Sequence, residues 1–388
     1  MDSVFLLTVV LFLVFAASGA TSPMLTLYLE SLGASYTRIS AILTTHAIAL
    51  LIASYVWGRV SDRIGRRKPL VVGGLWGMSL AFGLLALAPS YRFAWGVRVL
   101  EAIAMAAYGT SSLAFMGDLL ASSAARGRRM GLYRGFGSFS FALGVFSGGP
   151  IIQFLGMRQV YGLGALLLLA AGLVANTIRE APPSHQESLT PSPGVSVQMP
   201  RLFLAGVLLW TGAFWAAYSM WPNFLSSLGY PKSAANWLWG LAALSELPFM
   251  SLVGALSDVL GRAPVLMMGS VGLGLVLLGY VTLNRWLVGL MGVQVFRGFA
   301  YSAFTATSMV YAAESGTVRS RAGSVGAYNV AMALGQILGL AIGGQIVQWA
   351  GFTTLFLIST AVFLVSGGVF WALRWQRPIA QSAIVTAR

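Results

Sequence analysis

Gly58-Arg59-Val60-Ser61-Asp62-Arg63-Ile64-Gly65-Arg66-Arg67-Lys68 is a short polar stretch set between two long apolar runs. It returns, thinned of its basic residues, as Gly254-Ala255-Leu256-Ser257-Asp258-Val259-Leu260-Gly261-Arg262. Gly58, Ser61, Asp62, Gly65 and Arg66 match Gly254, Ser257, Asp258, Gly261 and Arg262 at a shift of 196. Tyr28 to Gly33 matches Phe224 to Gly229 at the same shift. Gly131 and Tyr133 match Gly326 and Tyr328 at 195, as Gly144, Gly148 and Gly149 match Gly339, Gly343 and Gly344. Matches at nearly one offset along the whole chain describe a duplicated unit, and a duplication fixes the architecture before any local detail does.

The unit is a membrane one. Of 388 residues, 57% are hydrophobic and 9% charged, and mean hydropathy is +0.79. A bilayer core of about 30 Å takes roughly 20 apolar residues per helix. Runs of that kind are expected at 4–29, 39–57, 69–88, 93–119, 131–155 and 160–178, then at 202–228, 234–256, 264–283, 286–313, 323–350 and 353–373. The expected fold is therefore all-α and polytopic, with twelve transmembrane helices in two pseudo-symmetric six-helix bundles. The domains are 1–178, a polar linker at 179–200 holding five prolines, and 201–388 with a short tail. Ala16 to Ala20 resembles a cleavable leader, but Asp2 replaces the usual basic residue and the apolar run continues past Ala20.

Charge placement orients the chain. The formal net charge is +14, yet seventeen Lys and Arg residues fall on one side of the expected membrane and five on the other. Basic loops stay inside, so both termini and the linker are expected in the cytoplasm of a plasma or inner membrane. The clustering also argues against a nucleic-acid partner. With no cysteine and two histidines, a disulfide framework and a metal centre are disfavoured, and no cofactor is expected. No phosphate-binding GxxxxGK[ST] loop, His-Glu-x-x-His or Gly-x-Ser-x-Gly element occurs, so neither ATP hydrolysis nor a catalytic site is supported.

Twelve spans, a duplicated half and the loop Gly58-x-x-x-Asp62-Arg63-x-Gly65-Arg66 together resemble the major facilitator superfamily, near its proton-linked drug, sugar and metabolite branches. The resemblance covers nearly the whole chain. It implies a transporter working by alternating access as a monomer, with the lipid bilayer, a small organic solute and a proton as its partners. It also implies that Gly58, Asp62, Arg63, Gly65 and Arg66, with Asp258 and Arg262 in the degraded copy, form a latch on the cytoplasmic side. Asp62 and Arg66 are the pairing candidates. The plainer reading is that the arginines only hold the loop inside. In the antiporter branch a proline follows the middle glycine of span 5; here that residue is Val145, so close helix packing is the reading of Gly144, Gly148 and Gly149.

Ionisable residues inside spans are costly and point to sites. Asp118 and Glu314 end spans 4 and 10, which leaves Glu101 and Glu246 as the intramembrane acids. Glu246 lies about 18 Å into span 8 by helix rise, near Pro248, and Arg297 sits at similar depth in span 10. A carboxylate that can pair with arginine or take a proton suits proton coupling; a fixed ion pair is the alternative. Glu101 follows Arg98 by three residues on one face of span 4. The solute site is expected at Trp215, Tyr218, Asn223, Trp239, Tyr301 and Thr305, amphipathic groups around these charges. Core or interfacial packing is the competing role for the aromatics. Export of a neutral or amphipathic solute and proton-driven uptake of a sugar or organic acid both remain open, as does uncoupled facilitation.

Overall fold

The computed structural model describes residues 3–120, 126–180, 199–315 and 321–375, and no strand occurs among them. In lipid each backbone N–H and C=O must find its partner within the segment, which leaves the helix as the form for such runs. The helices are α1 (Ser3–Ser31), α2 (Tyr36–Ile64), α3 (Lys68–Ala86), α4 (Tyr91–Leu119), α5 (Arg126–Phe154) and α6 (Met157–Thr177). Then follow α7 (Arg201–Ser227), α8 (Ser233–Leu260), α9 (Arg262–Thr282), α10 (Leu287–Glu314) and a last helical stretch, Arg321–Ala372. That stretch is 52 residues long, far more than one crossing takes, and Gly351 breaks it at φ 82° and ψ 170°. It is two spans, α11 (321–350) and α12 (352–372).

Several of the expected boundaries move outward. Span 2 was expected to end at residue 57, but α2 runs through Gly58–Ile64, so the first half of the polar motif is helix and not loop. A helix leaving the bilayer gains polar side chains without losing its backbone bonds. Gly65 ends it at φ 67°, in the left-handed region that closes helices without a Cβ penalty. The repeat copy behaves alike: α8 carries Gly254–Leu260 and Gly261 turns the chain at φ 87°.

The chain divides into two compact units, Met1–Glu187 with Leu225–Gly240, and Ser188–Phe224 with Leu241–Arg388. In the first, α1 packs on α5 and α6, α3 on α4 and α6, and α2 on α4. A Cβ on Gly144 would strike the Ala16 carbonyl, and one on Gly148 would stand 2.8 Å from the Ala20 oxygen. In the second, a Cβ on Gly339 would strike the Gly212 carbonyl, and one on Gly343 would stand 2.6 Å from the Ala216 oxygen. The glycine faces thus do the same work twice: they bring α5 against α1, and α11 against α7, at backbone contact. Large apolar side chains such as Ile52, Leu166, Leu252 and Val365 lie exposed on the helices. Such faces are expected of helices solvated by lipid.

Candidate substrate and coupling site

In the second unit α7 and α10 present aromatic rings to each other. The Trp210 ring stacks on Phe304 with centroids 3.6 Å apart and on Phe214 at 5.1 Å. Phe214 in turn meets Tyr218 at 4.5 Å and Tyr301 at 5.3 Å. Residues 210, 214 and 218 recur at four-residue spacing, so one face of α7 is a column of rings. The Arg297 guanidinium, buried at 2% exposure, lies 4.7 Å over the centre of Tyr218. A cation against a ring face is held by the ring's quadrupole, and the absence of water strengthens the contact. Below it Tyr280 donates to Gln294 Oε1 at 3.2 Å and meets Tyr218 edge-on. Glu246 on α8 is half-buried and interacts electrostatically with Arg297. Its backbone carbonyl accepts from Ser302 Oγ at 3.4 Å, which ties α8 to α10 at this level.

The first unit buries a different charge arrangement. Arg98 Nη1 donates to Glu101 Oε2, both side chains nearly inaccessible. The His46 Nδ1–H donates to the Arg98 carbonyl at 2.9 Å, joining α2 to α4. Tyr28 Oη donates to the Leu85 carbonyl at 2.5 Å while its ring lies 4.9 Å from that of Tyr161. In the second unit Phe224 and Phe356 repeat that ring pair at 4.9 Å. At the shift of 196, Arg98 corresponds to Gln294 and Glu101 to Arg297. One scaffold position holds an acid in one copy and a base in the other.

At the arginine-rich ends of the helices each unit has a clamp. Arg67 Nη1 donates to Ser61 Oγ at 2.6 Å and to Asp62 Oδ1 at 2.9 Å, and its Nε reaches Asp118 Oδ2 at 3.5 Å. Arg262 Nη1 donates to Ser257 Oγ at 2.5 Å and Asp258 Oδ1 at 2.6 Å. Its Nε and Nη2 hold both oxygens of Glu314, at 3.2 and 2.9 Å. A guanidinium fork matches a carboxylate in this way, which a lysine ammonium does not. In the first copy Glu180 adds a further bond: its Oε1 accepts from the backbone N–H groups of Arg67 and Lys68, the start of α3.

Twelve crossings built from a twice-used scaffold, with a Ser-Asp-Arg-acid clamp at each repeat, mark one family, and its sequence pattern runs through both halves. The Major Facilitator Superfamily pattern matches residues 7–231 and again 202–387. The chain belongs to the Major Facilitator Superfamily. It is an integral, multi-pass membrane transporter of small molecules and not an enzyme. It is 27% identical over 385 residues to a putative sugar efflux transporter of Deinococcus radiodurans, covering 95% of this chain and 97% of that one. It is 24% identical over 314 residues to a chloramphenicol resistance protein of Pseudomonas aeruginosa, covering 73% of each. The crystal structure of the nucleoside transporter NupG has the same fold, with a TM-score of 0.83 at 18% identity over 97% of this chain and 100% of that chain.

Within this facilitator the expected site residues separate. Tyr218, Tyr301, Arg297 and Glu246 come together, while Trp215 meets its chain neighbour Phe214 edge-on at 5.9 Å. The Thr305 hydroxyl donates to the Tyr301 carbonyl at 2.9 Å, one turn along α10. Asn223 is buried at 1% exposure, farther along α7. Trp239 lies in the other unit. Sequence reasoning missed Trp210, Phe214, Phe304, Tyr280 and Gln294. The four-residue spacing of 210, 214 and 218 was the available signal. In the clamp, Arg66 and Arg63 are exposed and Arg67 takes the place expected of Arg66. The reason is a single extra residue: Arg67 matches Arg262 at a shift of 195, whereas Gly65 matches Gly261 at 196.

Proposed function

We propose that this transporter moves a small neutral or amphipathic organic solute outward by alternating access, driven by protons through Glu246. The observation that carries the reading is the half-buried carboxylate of Glu246 in electrostatic reach of a buried Arg297, beside an aromatic wall on α7 and α10. The Tyr218 ring face offsets part of the cost of a buried Arg297 when Glu246 takes a proton. Trp215, Tyr218, Tyr301 and Thr305 form the solute-facing group in this reading, with Asn223 as a contributor farther along α7. Glu101, locked to Arg98, is the secondary proton site. Asp62 and Asp258, with Gly58, Arg63, Gly65 and Arg262, belong to the latch that resets between cycles, Arg67 standing in for Arg66. The protein acts as a monomer in the plasma or inner membrane with both termini in the cytoplasm. Sugar efflux and drug resistance among the relatives favour export.

Proton-driven uptake of a sugar or organic acid is the second reading, favoured by Arg297 as a carboxylate ligand and by a maltose permease of Geobacillus stearothermophilus at 27% identity over 283 residues. One experiment separates them. In proteoliposomes with an imposed pH gradient and a panel of solutes, E246Q is expected to lose gradient-driven accumulation while keeping solute exchange. The direction of the wild-type flux decides between export and uptake. Unaltered pH dependence in E246Q removes the residue from coupling.

A further inference from the structure

The first unit has a cavity of its own, lined by none of the aromatic residues of α7 and α10 described above. It is an open groove of about 450 Å³ between the N-terminal ends of α1 and α5. Phe5, Val9 and Phe12 wall it from α1, and Leu132 and Phe136 from α5. Three of these are half exposed or more: Phe5 at 56%, Leu132 at 56% and Phe136 at 50%. The polar groups are few. Thr8 spends its hydroxyl proton on the Val4 carbonyl at 2.8 Å, and Tyr133 is buried at the groove wall. Arg129, exposed, is the one charged residue of the lining.

The groove is polarised along the membrane normal. Arg129 stands in the first turn of α5, and Phe136 follows seven residues later, roughly 10 Å deeper by helix rise. On α1, Phe5 to Phe12 covers the same depth. A cation at the rim with about 10 Å of apolar trough beneath it is complementary to an anionic headgroup with an acyl chain. The surrounding sequence reinforces the sign. Arg126, Arg128, Arg129 and Arg134 lie within nine residues, and no acid occurs between Asp118 and Glu180; Asp2 is the single carboxylate in the α1 leader. A solute crossing by this route would have to drag its polar part past five apolar side chains, whereas a lipid needs to bring only its chain there.

We infer that the groove between α1 and α5 is a binding site for an acidic phospholipid of the cytoplasmic leaflet, its phosphate on Arg129 and one acyl chain between Phe5, Phe12, Leu132 and Phe136. The inference does not depend on which solute is carried or on proton coupling. Guanidinium and phosphate pair through two parallel N–H···O bonds, and a bilayer-edge phosphate falls at the level of the first turn of α5. The chain then fills the space at which α1 and α5 part, and so holds together two helices that touch elsewhere through glycine contacts.

The test is lipid retention by the full-length protein. Purified protein is exchanged from nanodiscs of phosphatidylglycerol mixed with phosphatidylcholine into detergent, and bound lipid is counted by native mass spectrometry. Wild type is expected to keep phosphatidylglycerol over phosphatidylcholine. R129Q is expected to lower that preference about fivefold, the value of one basic residue near an anionic surface. R129K should retain much of it, R374Q none of the effect, and L132W should abolish retention with the charge intact. Equal retention in wild type and R129Q, or equal retention of the two lipids by wild type, overturns the site. Displacement of the lipid by added laurate at equimolar amount overturns the phospholipid as occupant and points to a free amphiphile.

Discussion

At the scale of single residues, the helix-period signal was good for neighbours in sequence and poor for partners across helices. Arg98 and Glu101, three apart, were readable as a pair because one turn of helix brings them to the same face. Arg67 was not readable. The duplicated motif pointed to Arg66, and the one-residue difference between the copies becomes visible only when the start of α3 is placed beside the start of α9. Glu180 was hidden for a related reason, since its 113-residue separation from Arg67 has no local signature. It accepts from two N–H groups that the first turn of α3 leaves without intrahelical partners. Glu180→Ala is expected to lower stability by about 1 kcal/mol, and Glu180→Gln, which keeps an acceptor oxygen, by less. Thermal unfolding in detergent checks both. If Glu180 acts by aiming Arg67, its loss adds little in an R67A background, and full additivity in that cycle separates the two residues.

Among elements, the twelve spans were legible because lipid imposes length and apolarity together, and the repeat offset supplied a second, independent check. Helix ends were less legible, since α2 and α8 continue into the polar motif by more than a turn. The aromatic column of α7 is half legible: Tyr218 stands out beside the charges, while Trp210 and Phe214 read as ordinary membrane residues. The glycine stripes were read as packing, and their carbonyl contacts give that reading a magnitude. Gly144→Leu and Gly339→Leu are each expected to cost at least about 1–3 kcal/mol, since the added carbons meet backbone and not a movable side chain. Gly109→Leu, where a Cβ meets nothing within 4 Å, serves as the comparison. Similar melting temperatures for Gly144→Leu and Gly109→Leu would falsify the close-packing account.

For the whole molecule, the first compact unit takes in Leu225–Gly240, a segment that the duplication assigns to the second repeat. Asn236, fully buried, donates to the carbonyls of Val145 at 3.2 Å and Ala20 at 3.4 Å, and Trp237 meets the Phe146 ring at 5.8 Å. No periodicity in the sequence marks Asn236, because its partners are main-chain oxygens of α1 and α5. Under the proposed alternating access, this segment is expected to part from α1 and α5 during the cycle. The chain has no native cysteine, so a single cysteine at Ala20 reports on that release. Its maleimide labelling is expected to quicken in an Asn236→Ala background as the docked form loses two hydrogen bonds. Identical labelling rates would mean that the segment stays in place during transport.

The extra residue in the first clamp also limits how the two copies can be exchanged. Gly58 to Arg67 spans ten residues where Gly254 to Arg262 spans nine, although both arginines grip an equivalent serine and aspartate. A graft cut by aligning the glycines would arrive one position out of phase and aim its guanidinium away from the receiving acid. Engineers wishing to symmetrise this transporter, or to build it as a tandem of one half, must therefore splice by arginine and not by glycine.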